Sequence, residues 1–390
     1  MTAGPARESR RPATPAGAPR DVSISFSGFD ARQEASDVRV VRLCLLGFGN
    51  VARALCRLLA AQERVLRERH RLRFLITAAG TRRGSLVDPT GLAPAEVLVR
   101  AGDGPALPQA PRPASDLLAA SGADILVELT VMGDLTAVGT GGASYRPVAT
   151  DHVLQAFRLG MDVVTANKGP VAWSWPEVSQ AAASAGRRFR CESAVIDGLP
   201  VFSLLEFTLP DCRVLGFEGV FNATTNSIVD AMGAGRTFAD ALAQTQADGY
   251  AEADPRNDVD GWDAASKAAG LANVVMDAGI TPEDVERQCL RDVPLEQILG
   301  AREAGRRLRL VTSVWHEAAG GAAPAGPVRA RLHAEELDVD HPLAAVGGES
   351  LAVLLHTDLM ADILVCERHA LVPQTAYGVY ADLLHLCRTS

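Results

Sequence analysis

The feature that most constrains this chain is a strand that runs without pause into a glycine turn and then a helix. Residues 38–46, VRVVRLCLL, are apolar and β-branched enough to read as a buried strand. Gly47-Phe48-Gly49-Asn50-Val51-Ala52 follows at once, and VARALCRLLAAQERVLRERH continues with apolar residues three and four apart. A G-x-G-x-x-A turn carries weight only in this context. Gly47 permits the tight turn, Gly49 admits a pyrophosphate to the backbone, and Ala52 lets helix and strand close up. Asn50 and Val51 open a helix whose N-terminus receives negative charge. These positions are expected to hold a dinucleotide. Further strands are expected at Arg73–Ala79, Asp124–Leu129 and Asp162–Thr165, with helices between them. The fold class is therefore α/β, with a doubly wound parallel sheet.

The second strand ends in Ala78-Ala79-Gly80-Thr81-Arg82-Arg83. An NAD-selective site usually places an acid in this neighbourhood to hold the ribose hydroxyls. Two arginines suit a 2′-phosphate instead, so the expected cofactor is NADP, with NAD left open. The Gly- and Pro-rich stretch from Gly84 to Pro113 reads as surface loop with short helices.

Beyond about Gly186 the pattern changes. Strand-like runs at RFRCESAV, RVLGFEGVF, RLRLVTSVWH and VRARLHAEEL, separated by helices, indicate a second α+β domain. The expected organisation is a disordered Pro/Ala/Arg-rich tail over 1–38, a nucleotide-binding domain over 39–186 and a catalytic and dimerising domain over 187–370. A C-terminal helix within 371–390 is expected to return to the first domain. The segment 318–327 reads as a flexible turn. Arg10-Arg11 is followed by no hydrophobic stretch, which removes a twin-arginine export signal. A net charge of −9 argues against nucleic-acid binding, and no apolar run reaches the ~18 residues of a membrane span. Seven scattered cysteines without a C-x-x-C fit a reducing cytoplasm.

Of the 38 basic residues only two, Lys168 and Lys267, are lysine. Arginine supplies charge everywhere else. Lysine differs in that its ammonium can give up and regain a proton near neutral pH. Lys267 closes the segment GYAEADPRNDVDGWDAASK, in which Glu252, Asp254, Asp258, Asp260 and Asp263 crowd together. Asp263 and Lys267 are four apart and share a helix face. Carboxylates that hold an ammonium, beside a lysine that moves a proton, suit a small zwitterionic substrate. A solvated helix start with a surface ion pair is the plainer alternative.

The motifs GFGNVA, VVTANKGP, AVIDGLPVFSLLE, GVFNATTNSIVDAM, DGYAEADPRNDVDGWDAASK and HPLAAVGG together resemble those of homoserine dehydrogenases, over roughly Val41 to Arg388. The resemblance implies a Rossmann domain joined to a dimerising α+β domain, and a homodimer or higher homo-oligomer acting on a small molecule. It implies hydride transfer between a nicotinamide and the L-homoserine/L-aspartate 4-semialdehyde pair. It places the acid/base lysine at Lys267 and a second active-site lysine, near the nicotinamide, at Lys168. Substrate acids fall at Glu252, Asp258 and Asp263, and a nucleotide contact at Thr130. A monovalent cation, usually sodium, falls at Glu192, Val195, Asp197 and Leu199. The chain departs from the family at Ile196-Asp197-Gly198, where glycines are usual, and near CERHALVPQTAYGVYADL, which lacks the family's Gly-Ala-Gly loop. Those departures are the support for a related amino-acid aldehyde as substrate. A silent NADP-binding regulator is the remaining alternative. The chain stops about where the family's catalytic core ends, with no expected ACT or aspartate kinase domain.

Overall fold

The computed structural model describes residues 38–133, 135, 145–248, 251, 254–317, 326–368 and 370–388. The expected tail (up to residue 37) and the turn at 318–325 lie outside them. The first sheet contains β1 (Arg39–Leu46), β2 (Leu72–Thr81), β3 (Gly84–Leu92), β4 (Ile125–Glu128), β5 (Asp162–Thr165) and β6 (Phe189–Arg190), in the order β3-β2-β1-β4-β5-β6. β1 is parallel to both β2 and β4, with Leu45 opposite Ala79 on one side and Val127 on the other. β5 and β6 continue the parallel run. Helices cover both faces, which is why β1 buries Val41 and all of Leu43–Leu46 rather than alternating.

Two expectations are corrected here. The stretch 84–113 contains β3, antiparallel to β2, and the helix Pro94–Ala101. Pro89 and Gly91 argue against a strand in sequence, but β3 is an edge strand whose Pro89 and Thr90 face solvent, where a missing N–H costs little. The run 188–195 is also not a strand of the second sheet. It supplies the two residues of β6 and then turns into the short helix Glu192–Val195.

The second sheet contains β7 (Val214–Val220), β8 (Val285–Arg287), β9 (Arg306–His316), β10 (Val328–Asp338), β11 (Leu351–Thr357) and β12 (Ala361–Glu367), in the order β12-β11-β7-β9-β10-β8. Its strand pairs are antiparallel except for β8 with β10. One face packs on the helices Ala223–Gly233 and Trp262–Met276. There Phe217, Leu310, Leu332 and Val353 meet Ile228, Ala265, Ala268 and Leu271 in one core.

The last helix, Val372–Arg388, buries Ala376, Val379, Leu383 and Leu386, a helical stripe. That stripe shares a core with Val41, Leu55 and Leu59 of the first sheet and its glycine-turn helix. The chain end therefore returns to the nucleotide-binding half. All seven cysteines are free, and among the described residues no helix is long and apolar enough to cross a membrane.

Candidate active site

At the end of β1, Gly47 has φ of +90°, and its N–H donates to the Gly80 carbonyl at 2.9 Å. A Cβ here would run into the backbone of Leu129 and Thr130, so only glycine lets β1 and β4 close together. Gly49 differs: nothing lies within 4 Å of where its Cβ would be. The helix Asn50–Ala61 starts directly after it without a side-chain cap, leaving first-turn N–H groups for a ligand. Ala52 is buried, Asn50 is exposed and Val51 is half-buried. Arg82 and Arg83 are exposed in the turn that ends β2, and neither forms an ion pair with a described residue. Thr130 lies just past β4 and donates to Glu128. One oxygen of that fully buried Glu128 has no hydrogen-bond partner among the described residues. An open glycine backbone, uncapped helix N–H groups and a spare buried acceptor fit a nicotinamide dinucleotide.

The two lysines lie on different helices and meet at one carboxylate. Lys168 begins the helix Lys168–Trp173, and Lys267 sits in the middle of Trp262–Met276. The second helix is rich in alanine, a strong helix former, and is buried from Ala264 to Asn273. A mid-helix side chain there is forced into the interior. The helices are tied by Asn273, whose Nδ2 donates to the Val171 carbonyl at 3.0 Å. Lys168 Nζ bonds one oxygen of Asp263, and Lys267 Nζ lies 3.3 Å from the other. Lys267 also donates to the Phe221 carbonyl at 2.7 Å. Two of its three N–H bonds are thus engaged, and the third has no partner among the described residues.

Asn222 completes the cluster. Its Oδ1 caps the helix Ala223–Gly233 by accepting from Thr225 N at 2.8 Å. Its Nδ2 donates to Asp258 at 2.7 Å and to Asp263 at 2.9 Å. Burial alone would lower the Lys267 ammonium, but Asp263, Asp197 and Asp258 outweigh it and hold Lys267 above its ordinary value. Burial would likewise raise Asp263, yet Lys168 and Lys267 hold it far below the usual carboxylate range. Asp258 is pushed up, by burial first and by the Asp263 charge second. The cluster therefore presents a protonated lysine, an ionised carboxylate and a second acid, Asp258, whose charge burial and Asp263 disfavour.

The remaining acids of the sequence block separate. Asp260 pairs with Arg291, and Asp254 with Arg256. Glu252 lies outside the described residues. Of the positions implied for a cation, Glu192 and Leu199 already accept hydrogen bonds from protein donors. Both Glu192 oxygens accept from protein donors: Phe202 N and Ser203 N, each at 2.8 Å, and the Ser203 hydroxyl. The Leu199 carbonyl accepts from Val201 N at 2.9 Å. Glu192 is thus committed to the start of the helix Val201–Thr208. Asp197 takes a left-handed φ of +47°, where glycine would be unstrained, and its charge acts on Lys267. Asp382 accepts from Glu192 N at 2.9 Å, and burial pushes its carboxyl up to about 8.

Comparison with known proteins places most of the chain beside one family. Residues 200–384 match the sequence model of the family described as homoserine dehydrogenase. An NAD(+)-dependent homoserine dehydrogenase of Pseudomonas canavaninivorans is 33% identical over 88% of this chain and 96% of its own length. The chain belongs to the homoserine dehydrogenase family. A homoserine dehydrogenase of Corynebacterium glutamicum is 32% identical over 89% of this chain and 72% of its own. The crystal structure of a homoserine dehydrogenase from Thiobacillus denitrificans superposes with a TM-score of 0.74 at 28% identity, covering 90% of this chain and 74% of that one. Within this family frame, the side chain that sequence reasoning passed over is Asn222. It stands in the N-A-T-T-N motif, but its two roles, cap and carboxylate clamp, depend on elements far apart in sequence.

Proposed function

We propose that this chain interconverts L-homoserine and L-aspartate 4-semialdehyde. The observation that carries this reading is one half-buried carboxylate, Asp263, shared by the chain's two lysines. A bound nicotinamide dinucleotide supplies the hydride chemistry. The protein's own groups handle charge and proton. In the reducing direction the Lys267 ammonium, through its third N–H, gives a proton to the carbonyl oxygen as negative charge develops there. In the oxidising direction the neutral amine takes the hydroxyl proton. Lys168, held by Asp263, adds positive charge beside the same oxygen. Asp258, with Glu252, holds the ammonium of the amino acid, which relieves the repulsion from Asp263. Assay of the purified protein with homoserine and each cofactor tests this. Turnover of a different amino-acid aldehyde alone, or of nothing, would overturn it.

The raised Lys267 carries a consequence for pH. Oxidation needs the free amine, whose fraction grows with pH until the folded-state value is passed. Homoserine oxidation is therefore expected to climb up to about tenfold per pH unit on the alkaline side, without a plateau below the ordinary lysine value of 10.5. Reduction uses the ammonium and should not share that rise. A flat oxidation profile between pH 8 and 10, on the order of two units, would remove Lys267 as the base.

Cofactor choice rests on Arg82 and Arg83, exposed and in no ion pair with a described residue at the end of β2. We read them as favouring NADP, although the Pseudomonas canavaninivorans relative is NAD(+)-dependent by name. Replacing both with alanine should raise KM for NADP by ~10-fold or more, the loss of charge-assisted bonds to a phosphate, and leave NAD within about twofold. Equal losses for both cofactors would show that the arginines do not read the 2′-phosphate. The reading also takes the protein as cytoplasmic and as a homodimer or higher homo-oligomer; sedimentation of the purified protein checks the assembly.

A further inference from the structure

The Lys168–Trp173 helix has six residues, too few to hold its own direction. Lys168 is its first residue, so the aim of that ammonium depends on what holds the helix start. Asn167 holds it. The side chain is buried at 4% exposure, and its Oδ1 caps the helix by accepting from Gly169 N at 2.8 Å. Its Nδ2 reaches back to the end of β4 and donates to the Thr130 carbonyl at 2.8 Å and the Thr130 hydroxyl at 3.2 Å. Thr130 is in turn fixed by its bond to Glu128, which is fully buried and lies 3.2 Å from His152 Nδ1. Backbone bonds from Ala166 N to the Glu128 carbonyl (3.0 Å) and from Asn167 N to Thr165 Oγ1 (2.9 Å) lock the same corner.

We propose that Asn167 is a positioning residue for the reaction: tied to Thr130, it holds the Lys168 helix so that the ammonium meets Asp263. A cap alone would satisfy Gly169 N. The second bond, across to β4, is what sets direction, and it joins the strand end beside the nucleotide turn to the catalytic cluster. The kinetic part of this proposal rests on the homoserine dehydrogenase reading, whereas the geometric part does not.

The test separates cap from tie. Asn167→Ser keeps an oxygen for Gly169 N but loses the amide that reaches Thr130, while Asn167→Ala loses both. Because the chain holds only two lysines, a protein with 15N-labelled lysine side chains gives two ammonium signals. The Lys267→Arg protein, with one lysine left, assigns them. In Asn167→Ser the Lys168 signal is expected to shift or broaden while the Lys267 signal stays. kcat for homoserine oxidation should fall ~10-fold with KM for homoserine within about twofold, since misplacement of a catalytic group acts on turnover rather than uniform binding. In a Lys168→Ala background the same substitution should cost less than about twofold, because the group it positions is already gone.

An unmoved Lys168 signal overturns the proposal, as does a full additional loss in the Lys168→Ala background. So does a melting temperature for Asn167→Ser as low as that of Asn167→Ala with both lysine signals displaced, which would make the residue merely structural. Wild-type protein inactive on homoserine would sink the functional reading instead, and the lysine signals would still decide the geometry.

Discussion

Lys267→Arg is expected to lower homoserine turnover by ~10²-fold or more in a protein that still folds and still binds cofactor, the scale of a lost general acid/base. Arginine keeps the positive charge, so any loss isolates proton transfer from electrostatics. The site makes the contrast sharp. Lys267 is buried at 8% exposure and is fixed by Phe221 O and Asp263. A guanidinium placed there cannot become a base near neutral pH. Steady-state kinetics and cofactor binding on the folded variant check this, and turnover close to wild type would remove Lys267 from its assigned role.

Asp263→Asn should damage stability as well as rate. One carboxylate compensates two ammonium groups, and the amide would leave the buried Lys267 and the half-buried Lys168 without it. Removing one partner of a buried ionic cluster costs about 3–5 kcal/mol, which lowers the melting temperature on the order of 10 °C. The partial exposure of Lys168 places the effect toward the lower end. The pH dependence follows from the depressed Asp263 carboxyl. Its contribution is present above the ordinary value of 3.8 and is lost as pH falls through the folded-state value. The stability gap between wild type and variant should therefore be full at neutral pH and shrink as pH drops below 3.8. A variant as stable as wild type at pH 7, by calorimetry, would show that the lysines do not depend on this carboxylate.

Local pattern carried much of the fold. The β1 run, the glycine turn and the stripe of Ala52, Leu55, Cys56 and Leu59 are contiguous, and burial on both sheet faces writes itself into sequence as unbroken apolarity. β3 escaped because edge strands tolerate Pro and Gly, and β11 and β12 are absent from the expected strands. The two lysines stood out through composition. An arginine-rich chain that keeps lysine at two places draws attention to both of them.

By itself, the sequence determined the elements that depend on neighbours in the chain. These are the nucleotide turn, the helix that carries Asp263 and Lys267 on one face, and the rarity of lysine. Only the tertiary structure decided which polar groups form one cluster. It brought Lys168 onto Asp263 across 95 residues and Asn222 onto Asp258 and Asp263 across 36 and 41. It also paired Asp260 with Arg291 and committed Glu192 to a helix start. The reason is physical. Helix and strand periodicity is set by bonds three or four residues apart or by alternation along one strand. A buried ionic cluster is set by which distant donors can pay the cost of desolvating a carboxylate, and no local pattern records that.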